Sequence, residues 1–270
     1  MKKEVIKIET FSAKESADLV KRRPGFLAMV VGQYLLSFFG PERSRILRAS
    51  YLPIRKVDDA LDGDAPKILN PLLYVTELRE NITRNQLNKS SEERLLQYAL
   101  DSLESKAKPN DNPREDFISA IDAIIFDYDR SSKRKVLSTY EIEQYYRNAF
   151  DPVMNITLMA IDSSLRSRDI PVLSYGQGRV YSARDFRKDW IRGIINIPGE
   201  IISSSGLTSL SPVEEAIINP TIIDWFHQSL VQTKPDLITT QSLLAHHGER
   251  QTQAVCNSLI LPMLKFIDTH

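Results

Sequence analysis

Residues 51–64 read YLPIRKVDDALDGD and place three aspartates within five residues, at Asp58, Asp59 and Asp62. Arg55 lies three residues before the first of them. Residues three and four apart share one face of a helix, so a helix here would gather these side chains into an acidic cluster with a cation beside it. A hard divalent cation that bridges to a phosphate group is a natural ligand for such a cluster.

A second acidic pair lies in residues 181–198, which read YSARDFRKDWIRGIINIP. Asp185 and Asp189 are four residues apart and share one face of a helix, among several basic residues. Mg²⁺ takes one or two carboxylates per ion together with phosphate oxygens. Two such faces across a cavity would therefore hold Mg²⁺ ions that grip a diphosphate. For either cluster alone, a solvated, salt-bridged helix surface is the alternative.

The composition limits the class of protein. The 270 residues include 35 basic and 35 acidic side chains, and a net charge of zero argues against a dominant role in nucleic-acid binding. The single cysteine, Cys256, allows no intrachain disulfide and fits a reducing compartment. The longest apolar run, residues 25–40, is shorter than the roughly 20 residues of a membrane span. We therefore expect a cytoplasmic protein, or one peripheral to a membrane.

The pattern of apolar residues predicts an all-α protein with a single domain over residues 1–270, because no stretch alternates with a period of two. Residues 1–11 are expected to form a loose lead-in. The apolar run is expected to form a central, buried helix over residues 26–39, with contact to lipid as the alternative. The basic run 130–135 is expected to be a solvated loop. At the C-terminal end, we predict separate helices over residues 220–233 and 251–268, with a shorter one between.

Together the two acidic motifs resemble those of the squalene/phytoene synthase family. Its first motif, R-x-x-D-D-x-x-D, is met by Arg55, Asp58, Asp59 and Asp62. Its second, N-x-x-R-D-x-x-x-D followed by G-R-x-Y-L-P, is met in part by residues 184–198. The resemblance covers about residues 41–198. It implies an isoprenoid-synthase helical bundle around a central cavity, and an enzyme that joins two prenyl diphosphates head to head.

The resemblance also implies roles for individual residues. Mg²⁺, or Mn²⁺ in its place, would be bound by the motif aspartates Asp58, Asp59, Asp62, Asp185 and Asp189. Arg55 and Arg184 would contact the diphosphate, and Tyr51 and Tyr145 would line the cavity as catalytic residues. The expected substrate is a prenyl diphosphate of ten to twenty carbons, and no nucleic acid is expected as a partner. A lipophilic product implies peripheral membrane contact. NADPH would be needed only if the product is reduced.

The sequence departs from the family pattern at two places. Tyr181 stands where the family has its metal-binding asparagine, and Phe150 and Met154 stand among positions where it has small residues. Phe150 would therefore contact the substrate and reshape the pocket. Three hypotheses stay open, namely a head-to-head prenyltransferase, a terpene synthase-like relative that cyclises or transfers one prenyl diphosphate, and a non-enzymatic assembly or lipid-binding protein. Aspartates held by neighbouring arginines would favour the third.

Overall fold

The structure, a computed structural model, describes residues 2–65, 67–87 and 89–270. It is 78% helical, and no strand occurs within these residues, so the all-α prediction is confirmed. Short 3₁₀-helices cover Pro24–Phe26, Leu36–Phe39 and Ser167–Asp169. The α-helices are α1 (Lys2–Arg22), α2 (Leu27–Leu35), α3 (Pro41–Leu61), α4 (Pro71–Thr83), α5 (Ser91–Glu104), α6 (Pro113–Lys133), α7 (Thr139–Ala160), α8 (Val172–Arg192), α9 (Gly199–Ser204), α10 (Val213–Ala216), α11 (Pro220–His247) and α12 (Arg250–Thr269).

The chain forms two compact units. Unit 1 comprises the described residues of Met1–Ile124 together with Asn155–Arg166, and unit 2 comprises Ile125–Met154 together with Ser167–His270. Helices α6 and α7 each contribute residues to both units. The first acidic motif therefore belongs to unit 1 and the second to unit 2.

Helix α3 is the centre of unit 1 and packs against α1, α2, α4 and α5. Pro41 occupies its first turn, where a proline costs no hydrogen bond. Pro53 lies inside it, yet the helix continues to Leu61. Ile46 and Val57 are wholly buried, so packing on several sides holds the helix together across the proline and carries the first motif at its C-terminal end.

Residues 2–11 are helical, so the prediction of a loose lead-in is wrong for them. They form the first half of α1, whose buried face includes Ile8 and Leu19. Glu9 also accepts hydrogen bonds at 2.8 and 2.5 Å from two arginines of α3, Arg45 and Arg48. The lead-in is ordered because a helix elsewhere in the sequence supplies both its apolar and its charged partners.

The apolar run of residues 25–40 is not a central helix, which corrects a second prediction. It forms α2 and its flanking 3₁₀ turns, and α2 buries only Val30 and Gln33. The opposite side is exposed, at 53, 45, 53 and 84% for Leu27, Val31, Leu35 and Phe38. Apolar residues all round a helix predict burial, but here α1 and α3 cover one side only. None of the described helices is both long and apolar enough to cross a membrane.

In unit 2, helix α8 packs against α11 and α12. Helix α11 runs for 28 residues and continues through Pro235, so the predicted end of this helix at residue 233 is wrong. An interior proline costs about 3 kcal/mol. The buried leucines Leu230, Leu237 and Leu244 recur every seven residues on both sides of the proline. Their continuous packing offsets the local penalty.

Helices α7 and α8 come into close contact within unit 2 at Gly178. A methyl group on this glycine would lie 2.1 Å from Cγ of Tyr146, which is far inside van der Waals contact. The Tyr146 hydroxyl donates a hydrogen bond of 2.9 Å to Ser182 Oγ, one turn further along α8. Glycine at this position lets the two helices approach and so fixes the placement of the second acidic motif relative to Tyr146.

We expect Gly178→Ala to lower the free energy of unfolding by about 3 kcal/mol, because the added methyl group overpacks a buried helix contact. Gly176→Ala is the matched control on the same helix. Its methyl group would lie at ordinary contact distance, 3.4 Å from Thr233 Cγ2, and alanine is the better helix former by up to about 1 kcal/mol. Urea unfolding of both variants measures the difference. Equal stability of the two variants would contradict the close contact.

Candidate functional site

The first acidic motif is built around Asp59, a carboxylate with no exposed surface. Arg55 Nε on the same helix donates to Asp59 Oδ1 at 2.9 Å. Arg23 Nε lies 3.2 Å from the same oxygen, and Arg22 donates to Oδ2. The last residue of α1 and the residue after it are thereby tied to the C-terminal end of α3. Sequence reasoning missed both Arg22 and Arg23, and it predicted a metal ion where the structure places guanidinium groups.

The other carboxylates of this motif are partly exposed. Side-chain exposure is 33% for Asp58, 25% for Asp62 and 39% for Asp64. Asp58 Oδ2 lies 2.5 Å from Arg55 Nη1, and Asp62 Oδ2 lies 3.5 Å from Arg23 Nη2, which also pairs with Asp64. Burial alone would lower the pKa of Arg55, but Asp58 and Asp59 outweigh it and raise the pKa. The cluster thus carries its own compensating cations.

Tyr51 stands one turn before Arg55 and forms the apolar base of the cluster. It packs against the buried residues Leu19, Val30 and Leu52. Burial raises the pKa of Tyr51, so its phenol stays protonated. The Arg55 guanidinium lies 4.8 Å above the centre of the Phe26 ring. The charged groups of α3 therefore rest directly on aromatic side chains, including one from the turn that precedes α2.

In unit 2, the second motif lies on α8. Arg184 and Asp185 form a two-point ion pair, with Nε to Oδ1 at 3.0 Å and Nη2 to Oδ2 at 2.6 Å. The same guanidinium lies 4.3 Å above the ring of Tyr181. Phe150 of α7 meets that ring edge-on, with the ring centres 6.0 Å apart. Burial raises the pKa of Tyr181, so its protonated phenol acts as a platform for Arg184 and is a poor metal ligand.

Asp189 is the most perturbed carboxylate of the second motif. Burial, Asp185 and Asp127, in that order, raise its pKa to about 7. The nearby cations Lys188 and Arg130 act in the opposite direction but do not cancel this effect. The side-chain amide of Asn196 donates to Asp189 Oδ2 at 3.3 Å. Burial and two carboxylate neighbours therefore disfavour the charged form of Asp189.

Asp127, whose carboxylate acts on the pKa of Asp189, belongs to a hydrogen-bond network that the sequence did not reveal. Tyr145 donates its hydroxyl to Asp127 Oδ2 at 2.7 Å, and Arg130 Nε donates to Asp127 Oδ1 at 2.7 Å. Arg130 Nη2 donates to Asn196 Oδ1 at 2.6 Å, and its guanidinium lies 4.2 Å above the Tyr145 ring. Arg130 has no exposed surface. The prediction of a solvated loop is therefore wrong for Arg130, which lies in α6.

Tyr145 retains its place beside the second motif, but its hydroxyl is already engaged. Burial, followed by the charge of Asp127, raises the pKa of Tyr145 well above the ordinary value of a tyrosine. Its ring packs with Phe126 at 5.8 Å between centres. The side chain therefore offers an aromatic face and a neutral hydroxyl, and it holds Asp127 in place.

The carboxylates of the two acidic motifs differ in how well they could bind a divalent cation. Among the described residues, no group of three or more Asp, Glu, His or Cys side chains is arranged to hold a metal ion. Mg²⁺ bound with a diphosphate needs only one or two carboxylates per ion, and Asp189, with Asp185 one turn before it on α8, fits that requirement. Asp58 and Asp62 are carboxylates with partly exposed side chains, whereas Asp59 is enclosed by arginines. The two-walled cavity stays a prediction.

Comparison with known proteins assigns no family. No protein-family model matches the chain, and no curated protein matches it closely enough to count as a relative. The resemblance to squalene/phytoene synthases therefore rests on the two motifs alone.

We expect Asp59→Asn to lower the free energy of unfolding by about 3 kcal/mol, because it removes the fully buried carboxylate that three partly exposed arginines share. Asp58→Asn is the matched control. It removes a carboxylate one residue away whose side chain is partly exposed, and it should cost less than about 1 kcal/mol. Urea unfolding gives both values. A small effect of Asp59→Asn would contradict the structural role of this residue.

Asp189 should make the stability of the chain depend on pH. Its pKa of about 7 in the folded state exceeds the ordinary value of 3.8. As pH rises through this interval the unfolded chain ionises first, so the free energy of unfolding falls and then levels off above about pH 7. Asp189→Asn removes this loss.

We therefore expect Asp189→Asn to be more stable than the parent chain at pH 8, with the advantage shrinking as the pH is lowered to about 4. Asp129→Asn, which removes an exposed carboxylate paired with Lys133 on α6, controls for the loss of one negative charge. Thermal unfolding across this pH range measures both variants. An Asp189→Asn chain that is less stable than the parent at pH 8 would contradict the arrangement.

Proposed function

We propose that the chain is a Mg²⁺-dependent prenyltransferase that ionises allylic prenyl diphosphates and condenses two of them head to head. The observation that carries this proposal is the partly buried Asp189 on α8, whose pKa is raised by burial and then by the nearby carboxylates Asp185 and Asp127. A bound cation would stabilise the charged form of such a carboxylate. The resemblance of both motifs to the squalene/phytoene synthase family supplies the class of substrate.

The residues that would hold Mg²⁺ are Asp185 and Asp189 in unit 2 and Asp58 and Asp62 in unit 1. When bound, the ion supplies Lewis-acid neutralisation of the diphosphate. Asp59 is left out of this set, because three guanidinium groups surround it. We assign Asp59 the task of holding Arg55 in place.

Protein side chains contribute the rest of the proposed reaction. Arg55 and Arg184 donate hydrogen bonds to diphosphate oxygens, and a guanidinium matches such oxygens in a two-point geometry. The allylic C–O bond breaks, its electron pair leaves with the diphosphate, and the alkene of a second substrate adds to the carbocation. The released diphosphate then accepts the proton that the resulting cation loses. Tyr51 and Tyr145 present aromatic faces that attract a cation and exclude water.

A non-enzymatic binding protein is the second candidate, and the first motif favours it. Every carboxylate of that motif pairs with an arginine, and a cluster that is already compensated does not require a metal ion. Such a protein would hold a prenyl diphosphate or another anionic lipid without breaking it. The contact of Phe150 with Tyr181 keeps a third possibility open, because a filled pocket suits a single prenyl chain that is cyclised or transferred.

The test is incubation of the full chain with Mg²⁺ and geranyl, farnesyl or geranylgeranyl diphosphate. We expect diphosphate release and a prenyl hydrocarbon identified by mass spectrometry. Asp185→Ala and Asp189→Ala should each reduce the rate at least about 100-fold, as loss of a charge-stabilising group does. Asp129→Asn on the surface of α6 should keep the parent rate.

Binding measurements separate the candidates. Calorimetry with a non-ionisable farnesyl thiodiphosphate and Mg²⁺ should show binding that Asp189→Ala weakens. Binding without turnover of any of the three diphosphates would favour the binding protein. Turnover that gives only cyclised or single-prenyl products would favour the terpene synthase-like enzyme. If neither binding nor turnover is found, both the enzymatic and the binding proposals fail.

A further inference from the structure

The outer side of α2 and of the turn after it is apolar and faces away from the rest of unit 1. Leu27, Val31, Leu35 and Phe38 form this surface, the α2 face, and their spacings of four, four and three residues place them in one stripe. Each is roughly half exposed or more. No residue between 24 and 40 carries a charge. We infer that the α2 face docks on a lipid bilayer that contains anionic headgroups.

Charge on the neighbouring helix is consistent with this partner. Helix α1 contacts α2 and carries Lys7, Lys14 and Lys21 on exposed positions spaced by seven residues, which share one face. Lys21 lies six residues before the α2 face begins. Two exposed acids, Glu4 and Asp18, accompany these lysines. The lysines would therefore contribute individual contacts to anionic headgroups rather than a strong field.

A second copy of the chain fits this surface less well. The four side chains expose an area on the order of 400 Å², against about 800 Å² per partner in a stable protein interface. The stripe extends over about 17 Å of helix axis and lies on one side only. A helix of this kind can sink its apolar side about 5–10 Å into the boundary of headgroups and acyl chains without crossing the bilayer.

The inner side of the same segment touches the first acidic motif. Phe26, which precedes Leu27, lies under the Arg55 guanidinium, and Val30 belongs to the buried cluster that packs Tyr51. Docking of the α2 face would therefore bring the first motif to the bilayer surface, where prenyl chains partition. The inference stands on the exposed stripe, however, and needs no diphosphate.

The test is flotation of the full chain with vesicles, in the absence of any diphosphate. One set of vesicles is phosphatidylcholine alone and the other is an equal mixture with phosphatidylglycerol. We expect binding to the mixed vesicles, weakened about tenfold or more by Leu35→Ser combined with Phe38→Ser. The control is Leu210→Ser combined with Ile218→Ser, which removes two leucine-sized side chains of unit 2 that are 78% and 73% exposed. It should bind as the parent does.

Two further variants sharpen the result. Phe38→Trp places an indole on the α2 face, and its fluorescence should shift to the blue with mixed vesicles and be quenched by brominated lipids. Replacement of Lys7, Lys14 and Lys21 by glutamine should weaken binding to mixed vesicles several-fold. Absence of binding, or equal binding by the serine variant and the parent, would overturn the inference. A concentration-dependent dimer that the serine variant abolishes, without vesicle binding, would assign the face to a second copy.

Discussion

The buried carboxylate of Asp59 is the constraint on which unit 1 depends. A charge with no exposed surface is tolerated only when it is paired, and Arg22, Arg23 and Arg55 supply that pairing. Two of these arginines come from the end of α1 and the residue after it. Pairing of this aspartate therefore ties the end of α1 and the residue after it to α3, just before Pro24 begins the turn into α2. The exposed apolar stripe of α2 follows from this arrangement, because the turn leaves α2 on the outside of unit 1.

The two acidic motifs look alike in sequence but differ in electrostatics. In unit 1, guanidinium groups surround the aspartates, and the pKa of Arg55 is raised by its carboxylate neighbours. In unit 2, Arg130 is shared between Asp127 and Asn196, and the pKa of Asp189 is raised to about 7. A similar spacing of aspartates thus gives one motif whose buried carboxylate is paired with arginines and one whose partly buried carboxylate has a raised pKa. The difference arises from residues outside both motifs.

The sequence pattern predicted those features of the fold that depend on residues close together in the chain. The all-α class, the helix that carries each motif and the stacking of side chains three and four residues apart all follow from periodicity and from Pro and Gly positions. The lead-in, the exposure of α2 and the burial of Arg130 depend on partners distant in sequence, and no local signal encodes them. For Arg130 a weak signal existed, because Asp127 stands three residues before it on the same helix. The basic residues that follow, up to residue 135, favoured the prediction of a solvated loop instead.

The ion pairs Arg184–Asp185 and Arg55–Asp58 affect how a metal diphosphate could bind. Arg184 and Asp185 already adopt the two-point geometry that a guanidinium makes with a phosphate. A diphosphate bound to divalent cations carries both negative oxygens and positive ions, so it offers a partner to an arginine and to an aspartate. Arg184 and Arg55 would then donate to diphosphate oxygens in place of Asp185 and Asp58, and these two carboxylates would be available to hold a divalent cation. Because each arginine would exchange one oxygen partner for another, no half-buried guanidinium would be left alone. Tyr181, which lies under the Arg184 guanidinium, would keep the arginine in position while its partner changes.

The ion pairs between these arginines and aspartates are therefore expected in the free protein whether or not the site binds a metal diphosphate. The feature that a bound cation would stabilise is the partly buried carboxylate of Asp189, whose pKa is raised to about 7 by burial and by its carboxylate neighbours.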